Sequence, residues 1–247
     1  MENKFFDLFE VGGKIRDLLL NLPNKDVDYV AVPSKELLEK YSTAPEMFNV
    51  LKEYLEKEKY SIFLVTPGCY TIRAKFPDGH KYQGVADFVM ARKEIGYIPG
   101  TRTPIVVPGT LYEDLLRRDF CCNALAKGDD GEIIDYFGGI EDIKNKILRT
   151  PLDCKITFDD DPLRICRGIR FSITKGFALT PEVEHEIKHY NYYMKMKVVS
   201  EARIREELYK CFKFDSLKTI KLLNKFSRLR NYIFNNTELW LKPTNEK

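Results

Sequence analysis

Within Val11–Val32, VGGKIRDLLLNLPNKDVDYVAV, the spacing of apolar residues changes once, and that change dictates a helix followed by a strand. Ile15, Leu18, Leu19 and Leu22 recur at i, i+3, i+4 and i+7, which predicts a short amphipathic helix with one apolar stripe to bury. Gly12 and Gly13 precede it, and two residues without Cβ let another backbone or a phosphate approach the unpaired N–H groups of the first turn. Pro23 and Asn24 stop the helix. From Asp26 the period becomes two, so Asp26, Asp28, Val30 and Val32 share one face of a strand while Val27, Tyr29 and Ala31 share the other. Carboxylates so placed resist joint ionisation unless positive charge stands between them. Two Mg²⁺ ions about 3.5–4 Å apart, which take carboxylate and phosphate oxygens, would meet that need. For a lone D-x-D, a solvated strand end is the plainer reading.

At 247 residues the chain is long enough for one large domain or two smaller ones, each with its own core. Its net charge of +3 divides into −3 over residues 1–150 and +6 over residues 151–247. An acidic half suits metal binding and a basic half suits a polyanion, although solvated helix faces produce the same asymmetry. The six cysteines, Cys69, Cys121, Cys122, Cys154, Cys166 and Cys211, form no C-x-x-C pair, which points to reduced thiols in a cytoplasmic or other reducing compartment. The amino terminus MENKFFDLFE carries acids and no long apolar run, so neither a signal peptide nor a membrane span is expected.

Residues 34–60 alternate apolar and charged positions at helical spacing, as cover for one face of a sheet. Strands are expected at 61–66, 70–76 and 84–91, with a turn at Pro77-Asp78-Gly79. Asp87 is a single acid in an otherwise apolar strand, costly unless it meets a cation or a hydrogen-bonding site. Pro99, Gly100, Pro104, Pro108 and Gly109 make residues 98–110 read as a mobile loop. Residues 115–126 read as helix, with Arg117, Arg118 and Asp119 clustered and Asn123 four positions beyond Asp119 on the same face. A last strand at 133–137 and a short helix within GGIEDIKNKILRT follow.

In FDDDPLRICRGIRFS, residues 158–172, three aspartates and Pro162 predict a helix start, and Arg164, Arg167 and Arg170 form a basic flank beyond it. Residues 181–212 read as helical. HEIKH, His185 to His189, matches the H-E-x-x-H pattern of zinc metalloproteases, but the chain has one other histidine, His80, and the helix is dense in lysine, so an exposed face is the better account. Ser200 caps the helix within residues 198–212, residues 213–230 read as one basic amphipathic helix, and the chain after Tyr232 is polar and expected to fray.

GGKIRDLLLNLPNKDVDYV resembles the signature of the class II tRNA nucleotidyltransferase and bacterial poly(A) polymerase family, within the DNA polymerase β nucleotidyltransferase superfamily. ARKEIGY after the Asp87 strand, RRDFCCNAL, the D-x-x-G-G-x-x-D pattern of Asp135, Gly138, Gly139 and Asp142, the D-D-x-x-R of Asp160, Asp161 and Arg164, and SEARIREEL resemble further motifs of that family, so the resemblance spans about residues 10–230. Two departures are Cys121 and Cys122, where Thr and Ile are usual, and Asp160 in place of Glu.

The resemblance implies an α/β (α+β) fold, with a mixed-sheet nucleotidyltransferase head over 1–150, a small all-helical neck with the base-reading motif over 151–212, and a body-like basic helix and tail over 213–247. It implies template-independent addition of nucleotides from ATP and CTP to an RNA 3′ end with two Mg²⁺ ions, CCA addition to tRNA first and poly(A) synthesis second. Asp26 and Asp28 would hold metal, with Asp87 a third catalytic acid. Gly12, Gly13, Arg16, Arg117 and Arg118 would meet phosphates, Asp119 and Asn123 the ribose, and Asp161, Arg164 and Arg167 the nucleotide. Cytosine and adenine each offer an amino donor to Asp161 beside a ring nitrogen that accepts from Arg164, whereas uracil and guanine present a carbonyl there, which a carboxylate repels. A non-catalytic RNA-binding module would keep the basic helices but have no use for the paired aspartates. Relatives continue well beyond the neck, so the expectation is a smaller or different acceptor RNA, or a protein partner that supplies the missing surface.

Overall fold

The computed structural model describes residues 5–24 and 27–236. The chain divides into two compact units, one of residues 1–97 and 103–143, the other of residues 98–102 and 144–247.

The first unit opens with β1 (Phe6–Val11), α1 (Gly13–Leu19) and β2 (Asp28–Pro33), then the covering helices α2 (Lys35–Lys40) and α3 (Ala44–Lys57). β3 (Ser61–Thr66), β4 (Thr71–Lys75) and β5 (Val85–Met90) follow, then a separate antiparallel hairpin of β6 (Arg92–Tyr97) and β7 (Pro104–Pro108). After α4 (Leu111–Leu116) come β8 (Leu125–Lys127), β9 (Ile133–Asp135) and α5 (Gly139–Asn145). Among the described residues one mixed sheet runs β3-β4-β5-β2-β1-β8-β9, with only the β2–β5 pair parallel. A parallel pair needs a long crossover, which α2, α3 and the β3–β4 hairpin provide.

β2 is buried on both faces, as its continuous run of Tyr29, Val30 and Ala31 requires. Tyr29 and Ala31, with Phe88 and Met90 of β5, pack on Leu37, Met47, Phe48, Leu51 and Leu55 of the covering helices. Val30 turns to the opposite face, where Val11, Ala91 and Ala126 meet Leu111 and Leu115 of α4.

Three local readings of this unit change. α1 forms, but Leu18 is 56% exposed and Leu22 is exposed too, while Arg16 and Asp17 are buried beside Ile15: a polar network, described below, takes the place of the apolar stripe. The segment 98–110 contains β7, whose two prolines sit at its ends, where proline is tolerated in a strand. The helix expected over 115–126 stops at Leu116, and Asp119 accepts from Phe120 N–H at 2.9 Å to start a short 3₁₀ turn. Leu125–Lys127 then extends because its backbone pairs with both β1 and β9. Gly139 has a packing role: a Cβ there would lie 2.1 Å from the Cys121 carbonyl oxygen.

The second unit contains β10 (Ile147–Leu148), α6 (Cys154–Asp160), α7 (Leu163–Thr174) and β11 (Ala178–Leu179), the two short strands pairing in parallel. The rest is helical: α8 (Pro181–His189), α9 (Tyr192–Lys195), α10 (Glu201–Phe214), α11 (Ser216–Lys225) and α12 (Ser227–Asn236). Asp159 and Asp160 end α6 instead of starting α7, and the amines of Lys155 and Lys195 pair with Asp159 at this otherwise unfavourable helix end. The single helix expected over 213–230 is two, broken at buried Phe226, with Asp215 capping α11 through Lys218 N–H at 2.8 Å. Ser200 stands at the N-cap of α10 without a side-chain cap bond. His185 and His189 lie on the exposed face of α8, with ring centroids 4.2 Å apart. The tail after residue 236, where fraying was expected, lies outside the described residues. No helix among the described residues is long and apolar enough to cross a membrane, and all six cysteines are free thiols.

Candidate active site

Asp28 opens β2, and Asp87 lies directly across from it on the parallel neighbour β5. Residues in register share a face of the sheet, so the two carboxylates stand side by side. Arg73, opposite Asp87 on β4, donates from Nε and Nη2 to the two Asp87 oxygens at 2.7 Å each. That bidentate pair offsets one of the two negative charges. Asp28, Asp87 and Arg73 line an open cleft of about 560 Å³ together with Val27, Phe63 and Val85.

Gly12 caps α1 with φ 80° and ψ −148°. A Cβ at Gly12 would sit 3.4 Å from Asp28 Oδ2 and 3.9 Å from Arg118 Nη1, so the missing side chain leaves room beside the carboxylate. Asp26 lies outside the described residues. The Asp28 carboxylate lines the open cleft as a hard oxygen donor that fits Mg²⁺, while both Asp87 oxygens are held by Arg73.

Behind this edge, Arg16 is 6% exposed. Its Nε and Nη2 donate to Asp17 Oδ1 at 2.9 and 2.8 Å, and its Nη1 donates to Asn123 Oδ1 at 2.5 Å. Asn123 Nδ2 in turn donates to Asp119 Oδ1 at 2.9 Å. Arg16, Asn123 and Asp119 thus form one buried chain between α1 and the 3₁₀ turn, in which Arg16 orients Asn123. The Asp119–Asn123 contact expected from helical spacing is present, carried by the turn.

Arg117 and Arg118 converge on Asp114, which is wholly buried in α4. Arg117 Nη2 lies 2.6 Å from Asp114 Oδ1 and Arg118 Nη2 lies 3.1 Å from Oδ2. Burial alone would push this carboxyl up, but the two guanidinium groups hold it below its ordinary range. Glu94 of β6 lies 3.6 Å from Arg117 Nη1. The same Asp114 charge raises Arg117 against the opposing effect of burial. Asp114 was not singled out from the sequence, although it stands three and four residues before the arginines, the spacing that joins side chains on one helical face.

In the second unit Asp161 stands between α6 and α7. Its Oδ1 accepts from Leu163 N–H at 3.0 Å and its Oδ2 from Arg102 Nη2 at 2.6 Å. Arg102, in a segment read from sequence only as loop, carries no local signal of this pairing. Arg164 is 9% exposed and donates from Nη1 to the Thr157 carbonyl at 3.2 Å, which anchors its guanidinium to α6. Arg167 lies over the Phe171 ring at 5.6 Å, and Arg170 pairs with Glu207 of α10, so the expected basic flank is partly spent on packing. Lys218, Lys221 and Lys225 of α11 line a separate concavity of about 430 Å³ with Phe177 and Glu184.

Residues 8–149 match the family described as the poly A polymerase head domain. The CCA-adding enzyme of Lactobacillus helveticus is 35% identical over 211 residues, 85% of this chain and 47% of that protein. The crystal structure of the Bacillus stearothermophilus CCA-adding enzyme in complex with CTP aligns with a TM-score of 0.65 and 30% identity over 85% of this chain and 45% of that one. A tRNA nucleotidyltransferase complexed with a primer tRNA and an incoming ATP analog aligns with a TM-score of 0.67 and 28% identity over 92% of this chain and 59% of that one. The chain spans about half the length of the relatives it matches.

Proposed function

The chain belongs to the poly A polymerase head-domain family of nucleotidyltransferases, the family of the class II CCA-adding enzymes, and from that membership we propose that it adds CMP and AMP to the 3′ end of tRNA. The observation that carries this reading is the register pairing of Asp28 with Asp87 in an open cleft, beside the bare backbone of Gly12. CTP in one relative's crystal structure and a primer tRNA with an ATP analog in another support the substrate pair.

In the proposed reaction the RNA 3′ oxygen bonds to the α-phosphorus of the incoming nucleotide, the bond from that phosphorus to the β-phosphate oxygen breaks, and pyrophosphate leaves. Asp26 and Asp28 would hold two Mg²⁺ ions, which when bound lower the pKa of a hydroxyl and neutralise phosphate charge. Asp87, held in orientation by Arg73, stands beside Asp28 as the third acid of the site, where the acceptor hydroxyl is placed. Gly12 and Gly13 give the triphosphate access to the start of α1, and Arg117 and Arg118, splayed by Asp114, offset its charge. Asn123 and Asp119 hold the ribose, with Arg16 fixing Asn123 from behind. Asp161 accepts from the amino group shared by cytosine and adenine, and Arg164 donates to the adjacent ring nitrogen. The lysines of α11 hold RNA phosphates. The six free thiols suit a reducing compartment.

A second reading, addition of A alone, is favoured by the matched family's description as a poly A polymerase head. Incubation with Mg²⁺, single labelled nucleoside triphosphates and a tRNA lacking its terminal nucleotides separates the two. Incorporation of C and then A supports CCA addition, runs of A support the second reading, and no incorporation on any RNA sinks both.

A further inference from the structure

β3 is an edge strand of the sheet, and its pairing with β4 slips between Ile62 and Leu64, so Phe63 is the extra residue of a β-bulge. Bulges re-aim side chains and concentrate beside active sites. Leu64, Arg73, Asp87 and Asp28 lie in one transverse row across β3, β4, β5 and β2, so the bulge sits at the outer end of the row that carries the two carboxylates. Phe63 is 59% exposed, and it lines the same cleft as Asp28 and Asp87. Val85, 45% exposed and two residues before Asp87 on the same face of β5, adds a second apolar surface to that wall. From β3 to β5 is two strand spacings, roughly 10 Å. A nucleotide whose ribose lies at Asp87 can reach that far with its base.

An aromatic ring 59% exposed on a bulge next to carboxylates offers the π surface that a single-stranded RNA end needs. We infer that Phe63 is the stacking platform for the base of the acceptor RNA's 3′-terminal nucleotide, with Val85 as the apolar floor beside it. Stacking tolerates any base, so this subsite positions the acceptor without selecting it, in keeping with an end that changes identity at each addition. The inference rests on the transferase reading only for the identity of its ligand.

The test uses the full chain and two variants. Phe63→Ala is expected to raise the KM for acceptor RNA roughly tenfold while the KM for the nucleotide stays unchanged. Phe63→Trp, titrated without metal against a short single-stranded oligoribonucleotide, is expected to show saturable fluorescence quenching beyond that of the wild type, whose single tryptophan is Trp240. The same oligonucleotide with an abasic 3′-terminal ribose should not quench. Equal quenching by both oligonucleotides, or none by either, overturns the inference. So does an unchanged RNA KM for Phe63→Ala in an enzyme that transfers normally. If the wild type transfers nothing, the transferase reading fails, and the quenching titration still decides whether Phe63 stacks on a terminal base.

Discussion

Asp28 and Asp87 face one another across neighbouring parallel strands, and Arg73 closes on Asp87 with both arms of its guanidinium. Like charges at facing positions destabilise a sheet by roughly 0.2–1 kcal/mol.

Asp28→Asn is therefore expected to hold or raise stability by about 0.5 kcal/mol. The same change should lower single-turnover transfer by about 1000-fold, the loss of several kcal/mol of charge stabilisation. Urea unfolding and single-turnover assays measure both quantities on one preparation. Transfer at the wild-type rate would remove Asp28 from the site.

Arg16→Lys keeps a positive charge for Asp17 but cannot fork to reach Asn123 as well. The expected outcome is a nucleotide KM raised by about tenfold, with stability lowered by about 1–2 kcal/mol as the buried Asn123 Oδ1 loses the Arg16 donor. Arg16→Met, which leaves the buried Asp17 carboxylate without its guanidinium, should cost about 3–5 kcal/mol. If the lysine variant binds nucleotide normally, Asn123 is not the group that Arg16 positions for substrate.

For Asp114 the pH dependence has a definite sign. Its carboxyl is held below the ordinary value of 3.8 despite burial, by Arg117 and Arg118. The folded form therefore releases its proton more readily than the unfolded form, so this contribution is complete above about pH 4 and is lost as pH falls through the folded value. Asp114→Asn is expected to cost about 3 kcal/mol near pH 7. The gap between wild type and variant should stay constant down to about pH 4 and then shrink. A gap that widens in acid would contradict the assignment.

Asp161→Ala is expected to reduce discrimination of CTP and ATP against UTP and GTP by about 10- to 100-fold, the worth of a hydrogen bond to a charged group. Arg102→Ala removes the contact that orients Asp161 Oδ2, and should erode the same discrimination by a smaller factor without weakening RNA binding. The ratio of kcat/KM values across the four nucleotides, beside an RNA binding isotherm, reads both. Unchanged nucleotide choice in Asp161→Ala would count against base reading.

Local periodicity in the sequence carried much of the fold. The strand β2 from Asp28, the helices over 34–60 and the strands β3, β4 and β5 each stand where the spacing of apolar residues put them, because each repeats a pattern its own backbone can satisfy. The helix read over 115–126 failed where a long-range requirement won: Leu125–Lys127 has partners waiting on β1 and β9, and two ladders outweigh a continued helical turn. Phe63 carries no sequence signal either, since a bulge is a property of two strands in register.

What the sequence by itself determined is the kind of chemistry: paired acids beside a glycine-opened helix, clustered arginines, and an acid and an arginine three residues apart in a later motif. Tertiary structure decided which of these groups touch. It set Asp87 against Asp28, turned Arg16 inward onto Asn123, gathered Arg117 and Arg118 on Asp114, and brought Arg102 to Asp161. Spacing along a chain predicts neighbours within one helix or strand. Contacts between distant segments depend on sheet register and burial, where a polar group left without a partner costs more than the local preference it overrides.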